Sequence, residues 1–227
     1  MELKRILSVP EPMAALQLMA ETGVLGAVLP EGRLPGLLPV LIAIGAPPVP
    51  VLRMAGLIEA ASQAAAVARR LRLSGTEAAW LAALLGAAEV EDADRSGIAP
   101  GLSEADLRRM LARADRHWRG IDARELLVAR SWLAQARPRE GAVLADGDRA
   151  AWAALRAQIM AEPVPVFPLA GRDALALGLP PGKAMGEALE AVRQWWLARG
   201  CADDHAACVL ELHRIWAVRG GGTALGG

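Results

Sequence analysis

Tyrosine is absent from this 227-residue chain, phenylalanine occurs once and threonine is rare. Those residue types favour strands, and no segment alternates apolar with polar positions, so a sheet-based fold is not expected. Net charge is also absent, because 25 Lys and Arg balance 25 Asp and Glu. No global field therefore drives the chain onto nucleic acid, and any phosphate contact has to come from a local patch. Lysine is confined to Lys4 and Lys183. The remaining bases are arginines, which suit bidentate phosphate contacts, although a GC-rich genome alone enriches Arg, Ala, Gly and Pro. The two cysteines, Cys201 and Cys208, are too few for a metal-binding set, and reduced, partly buried thiols are expected. Long apolar runs are missing too. The stretch Leu34 to Ile58 is broken by Pro35, Pro39, Pro47, Pro48, Pro50 and Arg53, whereas a membrane helix needs about 20 continuous apolar residues. The opening MELKRILSVPEP lacks the apolar core of a secretion signal. A soluble, cytoplasmic protein is expected.

What is present is apolar and helical in period. Hydrophobic residues make up 54 %, which excludes a disordered chain. Ala, Leu and Arg recur at three- and four-residue spacing, the mark of an all-α fold, here an irregular multi-helix arm with no substantial sheet. A first helix is expected from Pro10–Pro12 to Thr22, with a glycine stop at Gly23 and Val24-Leu25 folding back. A short helical piece ends before Pro30, and short helices and turns fill Gly32 to Pro50. Val51 to Leu71 reads as one helix, burying Leu52, Ala55, Leu57, Ile58, Ala65, Ala68 and Leu71. Ser74-Gly75-Thr76-Glu77 is a capping box, and Ser103 to Asp106 a weaker one. Asp122, Asp146 and Asp203 are candidate caps for the remaining helices. Breaks at Glu89–Gly101 and Glu162–Pro168 divide the chain into 1–90, 91–162 and 163–227.

Two basic features are candidates for phosphate contact. In the helix after Ser103, Arg109, Arg113 and Arg116 fall at i, i+4 and i+7 on one stripe, opposite Leu107, Met110, Leu111 and Ala114. Such a stripe can track an RNA backbone, or it can be an ordinary solvated face paired with Glu104, Asp106 and Asp115. The second feature is a Pro/Gly turn. Gly171-Arg172-Asp173 leads into a short apolar helix, and Pro180-Pro181-Gly182 starts a long one at Lys183. First-turn amides lack partners and the helix dipole favours an anion there, with Arg172 and Lys183 adding charge. Arg69, Arg70 and Arg72 are explained as cations at a helix C-terminus. Trp195 and Trp196 point about 100° apart on a helix, one into the core and one to a rim. His117, His205 and His213 form no constellation, and no phosphate loop or nucleophile elbow occurs.

Two segments resemble a known family. Residues 167–200, FPLAGRDALALGLPPGKAMGEALEAVRQWWLARG, resemble the segment near the C-terminus of bacterial CCA-adding tRNA nucleotidyltransferases and related poly(A) polymerases. Glu2 to Leu7, Pro10, Ala15-Leu16, Met19, Glu21 to Leu25 and Val28 to Glu31 resemble the RNA-binding region just after that family's catalytic head. The resemblance runs in order along nearly the whole chain, strongest at 2–31 and 165–200. It implies a helical arm that holds the tRNA elbow and acceptor stem during tRNA processing. It also implies that the head motifs lie before Met1, and that Mg²⁺, CTP and ATP belong to that head rather than to this chain. The expected partners are tRNA and a separate or upstream head, and the chain alone is expected to be catalytically inactive. The choice between CCA and poly(A) addition lies in the head. Asp92-Ala93-Asp94 has the spacing of the family's metal-binding pair. It lacks the preceding Gly-Ser turn and a strand pattern, and reads as a solvated acidic loop rather than a metal site. The rival reading is a helical protein–protein adaptor that has lost RNA binding, recognisable by an apolar concave surface.

Overall fold

The computed structural model describes residues 2–86, 97–137 and 146–220. Asp92, Asp94 and the tail beyond Gly220 lie outside them. The described residues are all-α, with thirteen α-helices and no strand. In chain order these are α1 (Glu2–Ser8), α2 (Met13–Glu21), α3 (Val24–Val28), α4 (Leu38–Ala43), α5 (Pro50–Ala55), α6 (Ala64–Arg70), α7 (Gly75–Leu85) and α8 (Glu104–His117). They continue with α9 (Ala123–Ala136), α10 (Asp146–Ala161), α11 (Gly171–Ala176), α12 (Lys183–Ala198) and α13 (His205–Gly220). No helix among the described residues is long and apolar enough to cross a membrane. The chain forms two compact units. The first takes residues up to Leu102 with His117–Ala161, and the second takes Ser103–Arg116 with the chain from Glu162 onward.

The capping signals at Ser74 and Asp122 operate as spaced. The Ser74 hydroxyl accepts the Glu77 amide while Glu77 reaches back to the Ser74 amide at 2.9 Å, and Asp122 accepts the amides of Arg124 and Glu125. Glu77 is also paired with Lys4 of α1. The Lys4 ammonium, then the Ser74 amide, hold the Glu77 carboxyl down to about 2. A carboxyl depressed in the fold stabilises it above the unfolded pKa and loses that contribution as pH falls through the folded one. In urea denaturation, Glu77→Gln is therefore expected to cost about 1 kcal/mol at neutral pH, the size of a well-made surface pair and cap. The gap from the parent should close as pH drops from about 5 towards 2. A gap that is constant across that range would disprove the assignment.

Three expectations are corrected. The chain enters its first helix at Glu2 rather than near Pro10, because Leu3 and Leu7, one turn apart, are both buried. Val51 to Leu71 is not one helix. It breaks after Ala55, and a 3₁₀ turn at Ala61–Gln63 precedes α6. The break is tertiary in origin: the Gly56 carbonyl accepts the Leu37 amide at 2.8 Å, and the Leu57 carbonyl accepts the Arg33 amide at 2.7 Å. A Cβ at Gly56 would sit 2.7 Å from Leu41 Cδ1. Past the break the register changes, so Ala64 and Val67 are buried and Ala65 is exposed. Finally, Asp204 rather than Asp203 caps α13, accepting the Ala207 amide at 2.9 Å.

The first unit uses arginine inside. Arg53, only 3 % exposed, donates to the carbonyls of Leu7 at 3.0 Å, Val9 and Pro10 at the end of α1. Leu7 lies in the last turn of α1, whose carbonyls a helix end leaves without partners, and Val9 and Pro10 follow just beyond it. Arg130 does the same for the Ala83 carbonyl of α7, at 3.0 and 2.6 Å. Arg156 of α10 donates to Ser131 Oγ and Gln135 of α9 and lies 3.2 Å from the Trp132 ring centroid. Burial pulls both Arg130 and Arg156 down to about 10, so each remains charged at neutral pH.

Candidate nucleic-acid interface

Arg109, Arg113, Arg116, Arg172 and Lys183 all fall in the second unit, because Ser103–Arg116 belongs with the chain from Glu162 onward. The joint is a close approach of backbones. Gly200, after α12, has φ 74°, and a Cβ there would lie 2.7 Å from the Ala105 side chain of α8. Arg108 seals the contact by donating to the Gly200 carbonyl at 3.1 Å. The unit's core is Leu179, Ala188, Val192, Trp196, Cys208 and Leu212, with Ala112 of α8 packed against it. Trp196 is buried, meets Phe167 edge-on at 5.5 Å and donates Nε1 to the Asp203 carbonyl at 3.0 Å. Trp195 lies nearer the rim, with the Arg199 guanidinium 5.1 Å from its ring centroid.

The α8 stripe is engaged internally. Arg116 binds Glu190 of α12 in a fork, at 3.0 and 2.8 Å. The bond raises the Arg116 pKa and lowers that of Glu190. Arg109 is paired with Asp106, one turn back. Arg113 is half-buried. Leu107, Leu111 and Ala114 are buried on the opposite face and Met110 partly so, as the spacing predicts. Glu190 is the group that sequence reading did not single out. Its signal is its position three residues before Arg193 and four before Gln194, both of which it meets.

The turn is open. Gly171, the first residue of α11, sits where an added Cβ would be 3.7 Å from Met185 Cε in the first turn of α12. The starts of the two helices therefore lie side by side. That of α11 is occupied: Asp173 accepts the Ala170 amide at 2.7 Å and pairs with His205 at 3.2 Å. The Ala170 amide first, then His205, hold the Asp173 carboxyl below its usual range. That of α12 is not. No side chain caps it, and its N-cap Gly182 adopts φ 141°, a conformation that side-chain-bearing residues avoid. Lys183 is 92 % exposed, with Glu187 at 3.8 Å, and Arg172 is exposed. Uncapped amides on a 16-residue helix, with two exposed cations nearby, suit an oxyanion.

Cys201 and Cys208 are free thiols, both pushed up to about 11 by burial, and so are protonated and unreactive at neutral pH. Among the described residues no group of three His, Cys, Asp or Glu could hold a metal ion. No protein-family model matches the chain, and no curated protein matches it.

Proposed function

We propose that this chain is a tRNA-binding helical arm, the C-terminal part of a CCA-adding nucleotidyltransferase, acting in tRNA processing in the cytoplasm. The reading rests on the resemblance of residues 2–31 and 165–200. The observation that supports it best is the open start of α12 beside that of α11, with Arg172 and Lys183 exposed there. In this reading Arg172, Lys183 and the α12 amides take phosphate oxygens, while the α8 arginines contribute second. Arg116 has to leave Glu190 before it meets RNA, so its net gain is small. Nucleotide addition is left to a head domain, which supplies the metal-bound carboxylates.

The test is a salt titration of tRNA binding by fluorescence anisotropy. Binding is expected to be weak, indifferent to sequence and steeply salt-dependent. Arg172→Ala and Lys183→Ala should each flatten the slope of log affinity against log salt by about one, and Arg116→Ala by less. With Mg²⁺, CTP, ATP and tRNA lacking its 3′ end, the chain alone should incorporate nothing. Four variants (Arg109, Arg113, Arg172 and Lys183, each to Ala) that all bind like the parent would refute the phosphate assignment. A second reading, a helical adaptor for another protein, draws on Leu210 and Val218, which are 72 % and 71 % exposed on α13. Absence of any tRNA binding by the parent would favour it.

A further inference from the structure

The first unit contains a cavity of about 390 Å³ lined by residues of α5, α7, α9 and α10. That volume suits one small molecule. Trp80 of α7 and Trp132 of α9 contribute indole surface, and buried Leu52 and Leu84 close the bottom. Trp132 is a fixed surface rather than a loose one, because Arg156 lies against its ring and is itself tied to Ser131 and Gln135. Arg156 does not reach the cavity. The charged groups that do are both carboxylates, Glu77 and Glu125, and no lysine, arginine or histidine among the described residues lines it. Glu77 is neutralised by Lys4. Glu125 stands exposed at the rim, its amide held by Asp122 but its carboxylate in no hydrogen bond among the described residues.

We propose that this cavity binds a small organic cation: an aromatic or other flat apolar body carrying one protonated amine. The apolar body gains by leaving water against indole and leucine. The ammonium gains from Glu125 and from the Trp80 indole, since the Trp132 ring already carries the Arg156 guanidinium. An anion of the same shape meets the Glu125 carboxylate, and no lysine, arginine or histidine among the described residues lines the cavity to offset it. The chemistry is therefore opposite in sign to that of the α12 start, and neither a nucleotide nor an RNA phosphate is the occupant. The site and its test do not depend on the tRNA reading.

The test compares tryptamine with indole-3-propionate, which has a similar body and the opposite charge, by isothermal titration calorimetry on the full chain. Tryptamine is expected to bind, and indole-3-propionate to bind about tenfold more weakly or not at all. Glu125→Gln, an exposed change that leaves the helix intact, should weaken tryptamine about threefold and shrink the difference between the two probes. Ala129→Phe, which fills the cavity, should abolish binding of both. Thr76→Trp, which obstructs the cavity from an exposed position on α7, should do the same if Ala129→Phe disturbs the fold. Equal affinity for the two probes, no heat from tryptamine at millimolar concentration, or undiminished binding in Thr76→Trp would each overturn the proposal.

Discussion

Replacing Arg53 with alanine is expected to lower the stability of the chain by about 3 kcal/mol in urea denaturation. The guanidinium serves the carbonyls of Leu7, Val9 and Pro10 at once, from a position almost without solvent. Its removal leaves those acceptors short of donors and opens a void beside Leu7. The buried charge itself is costly. Burial pulls the Arg53 pKa down, with Glu11 opposing the shift. The net value of the residue is thus smaller than the sum of its hydrogen bonds. Arg53→Lys discriminates between charge and geometry. A single ammonium cannot span three carbonyls, so lysine should recover less than half of the loss. A loss below about 1 kcal/mol for the alanine variant would show that α1 is anchored by Leu3 and Leu7 alone.

Trp196→Ala is expected to cost about 4 kcal/mol and to remove tRNA binding with it. This side chain is 2 % exposed at the centre of the second unit, against Phe167, and its indole N–H bridges α12 to the segment before α13. All the candidate phosphate-binding cations sit in that unit. Their spacing depends on α8, α11 and α12 staying packed. Trp196→Phe retains most of the apolar contact and loses the bond to Asp203, so it should cost about 1 kcal/mol beyond the volume change and leave RNA binding measurable. Paired denaturation curves and anisotropy titrations check both variants. An alanine variant that binds tRNA like the parent would separate the interface from this core.

Much of the helical architecture is legible locally because its signals are local. Ser74 with Glu77 and Asp122 with the amides after it act within one turn, and a three-residue spacing is visible in a sequence. The same holds for the apolar face of α8. What fails is whatever depends on residues far apart. The break after Ala55 follows from Gly56 and Leu57 meeting Arg33 and Leu37, some twenty residues earlier. The neighbour Asp204 displaces Asp203 as a cap because the Asp203 carboxylate is taken by Arg199. At the candidate interface, the exposure of Arg172 and Lys183 was readable from the Pro/Gly turn that holds them. The Arg116–Glu190 fork was not, because its halves are 74 positions apart. The cavity beneath Trp80 and Trp132 left no trace either, since its walls come from four helices that no motif links.

The discontinuous makeup of the second unit has a consequence for synthesis. Helix α8 leaves the ribosome before the residues that complete its unit, which start only at Glu162, so Ala112 has none of the core it packs against. At about 5–20 residues per second, several seconds pass before that partner begins to emerge, and longer before Gly200 can meet Ala105. Through that interval a strongly two-faced helix waits for the rest of its unit. The second unit can therefore close only after the chain beyond Glu162 has been made, however early α8 itself winds.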